Sequence, residues 1–168
     1  MIKIKIKYFF IFFVMLTSCQ QSEVIDKIIF DYNELSKIVI SAENKKINNI
    51  YKSKFSDTYI DHSLKIPPIN HLNLFFKNNF NIIGFENEIV INILDASIKK
   101  SEIVNTDIEK YKEKTIFLYE ISFIVDYVLY DDNNLVLAKA KVESFRSTTS
   151  GKFISLLQSD TIIDSLIL

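Results

Sequence analysis

An α+β sandwich, with a mainly antiparallel sheet of about four strands and two helices packed on one face, is the fold this sequence predicts. Three observations lead to it. Thr115 to Tyr130 alternates without a break, placing Phe117, Tyr119, Ile121, Phe123, Val125, Tyr127 and Leu129 on one side, the period of a strand with a buried face. The cluster Asp131-Asp132-Asn133-Asn134 then turns the chain back into a second apolar run, Leu135 to Phe145. Apolar residues at helical spacing stand on either side of this strand region, after Pro67-Pro68 and at the end of the chain.

Taken in order, the elements read strand, helix, three strands, helix. Ile38-Val39-Ile40, within Leu35 to Ser41, is a short β-branched run and the first strand. Periodicity fades from Glu43 to Lys65, where Asn48-Asn49 and Asp57-Thr58 supply turn chemistry, so a long surface connection is expected. Connections of that length usually hold a short element or a function. Pro67-Pro68 suits the first turn of a helix, where a missing N–H has no intrahelical partner to lose. Ile69, Leu72, Phe76, Phe80 and Ile83 share one helical face, Phe75 widens it, and Gly84 stands where a C-terminal cap is expected. This aromatic stripe reads as core, with a lipid- or partner-contacting face as the alternative.

Glu86 to Lys100 alternates in part, with Ile89, Ile91 and Ile93 on one side and Val90, Leu94 and Ile98 on the other. Thr106 to Glu113 is a polar crossing into the long strand. A symmetric hairpin turn after Tyr130 sets Phe123 against Val142, Val125 against Ala140 and Asp126 against Lys139, with Val136, Ala138, Ala140 and Val142 toward the core. An opposite-charge cross-strand pair contributes roughly 0.2–1 kcal/mol and supports that register. The small Ala138 and Ala140 leave room for a helix to pack close. The last helix takes Ser150 as its cap and Phe153, Leu156, Leu157, Ile163, Leu166 and Ile167 as its apolar side.

Ahead of this domain, residues 1–18 join a basic start (Lys3, Lys5, Lys7) to an apolar stretch from Tyr8 to Leu16, the pattern of a secretory signal. The stretch is about half of the roughly 20 residues a membrane-spanning helix needs. Leu16-Thr17-Ser18-Cys19 resembles the lipobox of bacterial lipoproteins. The resemblance implies diacylglycerol transfer to the Cys19 thiol, cleavage before it, and a mature chain tied to a membrane by lipid. Two or three acyl chains make such an anchor stable where one is marginal, at about 0.8 kcal/mol per buried CH₂. Lipoproteins of this kind without Asp after the cysteine usually reach the outer membrane facing the periplasm, and here Gln20 follows. Residues 19–34 then form the lipidated N-terminus and tether, and 35–168 a single periplasmic domain.

Cys19 is the only cysteine, so the mature domain has no internal disulfide. Removal of residues 1–18 leaves 17 basic against 21 acidic residues, a formal charge of −4. Arg146 is the only arginine, and no basic stripe interleaves with aromatics, which argues against a nucleic-acid partner.

Catalytic constellations each lack a part. With Gly84 and Gly151 as the only glycines, neither a nucleophile elbow nor a phosphate loop can be built. Asp61-His62 lies on an extended segment where neighbours point apart, His71 lies beyond a Pro-Pro break, and both histidines are expected at the surface. Asp131-Asp132-Asn133-Asn134 lacks the glycine and distal glutamate of an EF-hand loop and reads as a hairpin turn. Arg146 has the fork geometry to bind an anionic headgroup or a carboxylate, or else serves locally at the strand end. No catalytic residue, metal site or cofactor is assigned, and a non-enzymatic role is expected.

The second face of the long strand carries Ile116, Leu118, Ile124, Val128 and Tyr130 beside Glu120, Ser122 and Asp126. Either the 43–65 connection covers it, or Leu118, Ile124, Val128 and Tyr130 form a docking face for an envelope protein or for lipid. A lipid carrier is the alternative function, and it requires a cavity lined by Phe76, Phe80 and Phe123.

From about residue 35 to the end, the chain is similar to an uncharacterised family of alphaproteobacterial lipoproteins. The shared runs are Ile66-Pro67-Pro68 before a helix closed by Gly84, Ile93-Leu94-Asp95-Ala96-Ser97, a long strand with Tyr119 and Val125, and Ala138-Lys139-Ala140-Lys141-Val142 leading to Ser144-Phe145-Arg146-Ser147. Members usually carry an aromatic residue, often Trp, within the first helix, where Phe75 or Phe76 stands here, and a longer final helix. The element order also resembles small outer-membrane lipoproteins that assist transport machines, such as the lipopolysaccharide-assembly lipoprotein and the auxiliary lipoproteins of ABC-type lipid transporters. That likeness implies an accessory role in envelope assembly or transport, at the level of fold analogy.

Overall fold

The structure is a computed structural model that describes residues 28, 30–106 and 114–168. Leu16, Thr17, Ser18, Cys19 and the tether to Asp26 lie outside the described residues, as does most of the Thr106–Glu113 crossing. The order is β1 (Ile38–Ile40), β2 (Asn44–Asn49), α1 (Pro68–Asn78), β3 (Phe80–Ile82), β4 (Glu88–Val104), β5 (Thr115–Tyr130), β6 (Val136–Ser150) and α2 (Leu156–Ile167). The main sheet runs β2-β4-β5-β6, antiparallel except for the β2–β4 pair, and β1 and β3 form a separate two-stranded parallel sheet. The α+β architecture with both helices on one sheet face is the one expected.

Long unbroken alternation makes β5 the centre of the molecule. Its odd residues face the helices. Val125, Tyr127 and Leu129 meet Ile89, Ile91 and Ile93 beneath α1, while Tyr119 and Ile121 meet Ile98 beneath Ile163 and Leu166 of α2. In β4 a bulge between Ile93 and Asp95 shifts the register, so Ala96 and Ile98 take over the core face from the odd isoleucines. That shift explains why Ile98, assigned by simple alternation to the outer side, is fully buried.

Several boundaries differ from expectation. The first helix starts at Pro68 but stops at Asn78, with Asn79 at the C-cap, and Phe80 and Ile82 continue in β3 instead. Lys45 closes that helix end by donating to the carbonyls of Phe76 (2.7 Å) and Phe80 (2.5 Å), a cation where the helix dipole favours one. Gly84 is not the cap. A Cβ there would stand 3.0 Å from the Ala42 nitrogen, so its role is close approach of the β3–β4 connection to the backbone before β2. The 43–65 connection holds β2 and a 3-10 turn at Asp61–Ser63, and it runs along the edge of β4, with Tyr59 bridging to Lys99.

The hairpin is displaced by two residues from the symmetric register: Phe123 pairs with Ser144, Val125 with Val142, and Asp126 with Lys141. Asp131 accepts from the backbone N–H of Asn133 and Leu135, and Asn134 adopts φ 61°, which lengthens the turn. A shift of two preserves each residue's face, and Asp126 still meets Lys139 diagonally at 3.5 Å. The expectation that Val136, Ala138, Ala140 and Val142 enter the core is corrected: β6 is exposed from Val136 to Ser147, and α2 touches it only toward its far end, at Arg146. The last helix is capped by Ser155 with Gln158 in a reciprocal capping box, not by Ser150. Phe153 and Leu156 are exposed, and Ile163 and Leu166 carry its buried face.

Candidate functional site

Two regions present chemistry beyond the core: the sheet face turned away from the helices, and the cleft between the helices. On the open face β5 contributes Leu118, Glu120, Ser122, Ile124, Asp126, Val128 and Tyr130. Beside it β4 contributes Val90, Asn92, Asp95, Ser97 and Lys99. Leu118, Ile124 and Tyr130 are partly exposed there. Val128, counted with them in the sequence, is only 6% exposed, which removes it from any docking face. The 43–65 connection pairs along the β4 edge and reaches this face through Tyr59, whose ring lies under Lys99 Nζ, while Leu118, Ile124 and Tyr130 stay partly exposed, so the cover expected from it is incomplete.

β4 makes this face more polar than β5 alone suggests. Asp95, placed by the bulge, accepts from Ser122 Oγ at 2.8 Å and from Ser97 Oγ at 3.2 Å, and Asn48 donates to Asn92 at 2.9 Å. A shallow cleft of about 360 Å³ opens over Asp95, Lys99, Glu120, Ser122, Ile124 and Phe145. The face is amphipathic: apolar residues rim a polar, hydrogen-bonded centre. That composition fits a protein contact with a few oriented polar groups better than a lipid surface.

The second region is built by the segment preceding β1. Asn79, 1% exposed, donates through Nδ2 to the carbonyls of Tyr32 and Leu35 and so ties this segment to the end of α1. Tyr32 Oη lies 2.6 Å from His71 Nδ1, and the Phe30 ring packs 4.2 Å from the imidazole. His71 is therefore buried, contrary to the surface position expected for it, whereas His62 is exposed against Phe55. Around this strap lie an apolar pocket of about 170 Å³, touching Phe75, Phe123 and Ile167, and a groove of about 570 Å³ along Ile66, Leu74, Leu157 and Ile163. Phe76 and Phe80 line neither one. They pack edge to face with each other, so of the three residues expected around a lipid cavity only Phe123 borders a void.

Burial holds the His71 imidazole below its ordinary pKa. The unfolded chain then binds a proton at higher pH than the folded one, so stability is full above about pH 6.5 and falls as pH drops below that value. His71→Phe is expected to cost stability at pH 7.5, through the lost Tyr32 bond, and to flatten this slope. Urea midpoints at pH 7.5 and 5.5 measure it; equal slopes in the two chains would count against a protonation cost at His71.

Asp61 is fully buried and accepts from Tyr51 Oη at 3.0 Å, while its second oxygen has no partner among the described residues. Burial, and then the Asp61 carboxylate, push the Tyr51 phenol well above its ordinary range. No sequence pattern marks this pair, because Tyr51 and Asp61 lie in the aperiodic connection. Arg146 lies inside β6, not past its end as expected, because the strand continues to Ser150; it donates to the Leu166 carbonyl at 3.4 Å, near the C-terminus of α2, which gives it a local role. Asp131-Asp132-Asn133-Asn134 is the hairpin turn expected.

Among the described residues no group of three or more His, Cys, Asp or Glu side chains is placed to hold a metal ion. Also among them, no helix is long and apolar enough to cross a membrane. No protein-family model matches this chain, and no curated protein is significantly similar to it.

Proposed function

We propose that the chain is a lipid-anchored component of the bacterial envelope, held through Cys19 on the outer membrane and facing the periplasm. Its role is to dock to a protein of an assembly or transport machine, without catalysis of its own. One observation supports docking above the rest: both helices pack on the odd face of β5, and the opposite face keeps Leu118, Ile124 and Tyr130 partly exposed around an oriented polar centre. The lipobox-like Leu16-Thr17-Ser18-Cys19 supports the anchor. The likeness to envelope lipoproteins supports the setting.

A second reading, a carrier of lipid or another apolar ligand, is favoured by the interhelical groove, whose volume of about 570 Å³ falls within the range of ligand sites. One experiment separates the two. A photoreactive residue at position 118 is expected to capture one envelope protein reproducibly in living cells. Ile124→Lys in the same chain should lower that yield at least fivefold with an unchanged melting temperature, since the lysine stem can lie along the sheet with its charge in water. Undiminished capture by Ile124→Lys would reject the docking face. Lipid adducts from a photoreactive residue at position 74, on the interhelical groove, with no protein captured at position 118, would favour the carrier.

A further inference from the structure

The geometry points to β6 as the contact between two copies of this chain, joined edge to edge into one continuous sheet with four strands from each. This goes beyond the docking face, since it uses the sheet's edge and a partner of identical sequence.

β6 is the outermost strand of the main sheet, and among the described residues it pairs with β5 alone. One row of its N–H and C=O groups therefore has no ladder partner among the described residues. Edge strands of this kind are ordinarily kept short, bent or covered. This one extends from Val136 to Ser150 with both faces exposed as far as Ser147. It also leaves Leu137, Val142 and Phe145 more than half exposed, at 55, 51 and 65%. Chain ordering has been completed for a strand that uses only half of its hydrogen-bonding capacity.

Its charges select the occupant. In a pair related by a two-fold axis perpendicular to the sheet, antiparallel partners share a face, so each register is centred on one residue facing its own copy. Centring on Lys141 or on Glu143 sets like charges opposite each other. Centring on Val142 sets Lys141 against Glu143 twice, once on each side of the axis. It also brings Val142 against Val142 on the helix-side face and Lys139 against Phe145 on the open face, where a cation meets a ring. Residues 136 to 148 then all find partners. Within the single chain Lys141 and Glu143 are two apart on one strand and pair with each other at 2.6 Å, both about half exposed, so both are available to exchange partners. Lysines on an edge discourage indiscriminate strand addition. A strand that sets Glu143 in register with Lys141 accepts its own copy and disfavours registers that bring like charges together.

Oxidative crosslinking tests the register in the full chain carrying Cys19→Ser, so that an introduced thiol is the only one. Val142→Cys is expected to give a disulfide-linked dimer, since facing Cα atoms in an antiparallel pair lie within disulfide range. Ala138→Cys, which faces Arg146 of the other copy, should give at least fivefold less. With Val142→Cys in place, Lys141→Glu or Glu143→Lys alone should each lower the dimer yield about tenfold. The two together should restore it, because the swapped charges again oppose. The pairing is overturned by the absence of a dimer at position 142 in folded protein. Equal yields at 138 and 142, or a double variant no better than the singles, overturn it equally. None of these readouts depends on the docking face or the lipid anchor.

Discussion

Cys19→Ser is expected to abolish incorporation of labelled palmitate and to remove the lipid-sized increment from the mass of the mature chain. The effect is all or none because Cys19 is the only cysteine in the sequence and a serine hydroxyl cannot replace its thiol in forming the thioether to diacylglycerol. Each buried CH₂ contributes about 0.8 kcal/mol, so two or three chains of ordinary length supply several times what a single, marginal chain does. The described helices of 11 and 12 residues are too short to replace that anchor by spanning a bilayer, which takes about 20. Intact-mass measurement of the wild-type chain from membranes, beside palmitate labelling of both chains, decides the matter. Label retained in Cys19→Ser, or a wild-type mature chain that does not begin at Cys19, would sink the lipoprotein reading and leave the folded domain unaffected.

The strands most legible in the sequence are those whose burial is one-sided over a long run. Alternation bounds β5 to the residue, since every odd side chain from Phe117 to Leu129 meets a helix or the core beneath one. Where burial is not one-sided, periodicity misleads in identifiable ways. β2, Asn44 to Asn49, is mostly polar on both faces because it is a short edge strand whose pairing rests on backbone bonds to β4, and side-chain patterning is silent about those. In β4 the bulge after Ile93 inverts the alternation, so the side facing the core changes midway. β6 shows the converse error. Its alternating Val136, Ala138, Ala140 and Val142 look like a core face, yet no helix covers them.

The helix boundaries carry a similar lesson. Phe80 continues the heptad-like spacing of Ile69, Leu72 and Phe76, but Asn79 ends the helix and β3 delivers the Phe80 ring to the same cluster from a strand. Spacing alone cannot distinguish two routes to one core. For the candidate site, parity on β5 marks Leu118, Ile124 and Tyr130. Parity gave no warning that Val128 is buried or that β4 places Asp95 and Ser97 beside Ser122, because the outer face is shared by strands whose relative register depends on the bulge. The burial of His71 is illegible for a different reason. Its partners Phe30 and Tyr32 come from the segment preceding β1, and no local pattern shows that this segment crosses α1.

Phe76→Ala is expected to cost about 3–5 kcal/mol, the range for removing a buried aromatic ring, and to lower the melting temperature by about 10–15 °C in a domain of this size. Phe76 is 1% exposed and joins three elements: its ring stands edge to face with Phe80 of β3 at 6.1 Å and with Tyr127 of β5 at 6.0 Å. Phe80 and Tyr127 in turn stack at 5.9 Å, so one truncation opens a void against both. Edge-to-face geometry adds roughly 0.5–1.5 kcal/mol per pair beyond burial, which places this site at the upper end of the range. Phe75→Ala, on the neighbouring half-buried ring that borders the 170 Å³ pocket, should cost distinctly less, because that site already adjoins open space. Chemical denaturation of the three chains checks the ranking; equal losses at 75 and 76 would mean that α1 is held by the interhelical pocket as much as by the sheet. The contrast also bears on function. Phe76→Ala should lose partner capture only in step with lost folding, whereas Ile124→Lys should lose capture at an unchanged melting temperature, and only the second pattern identifies a surface that touches a partner.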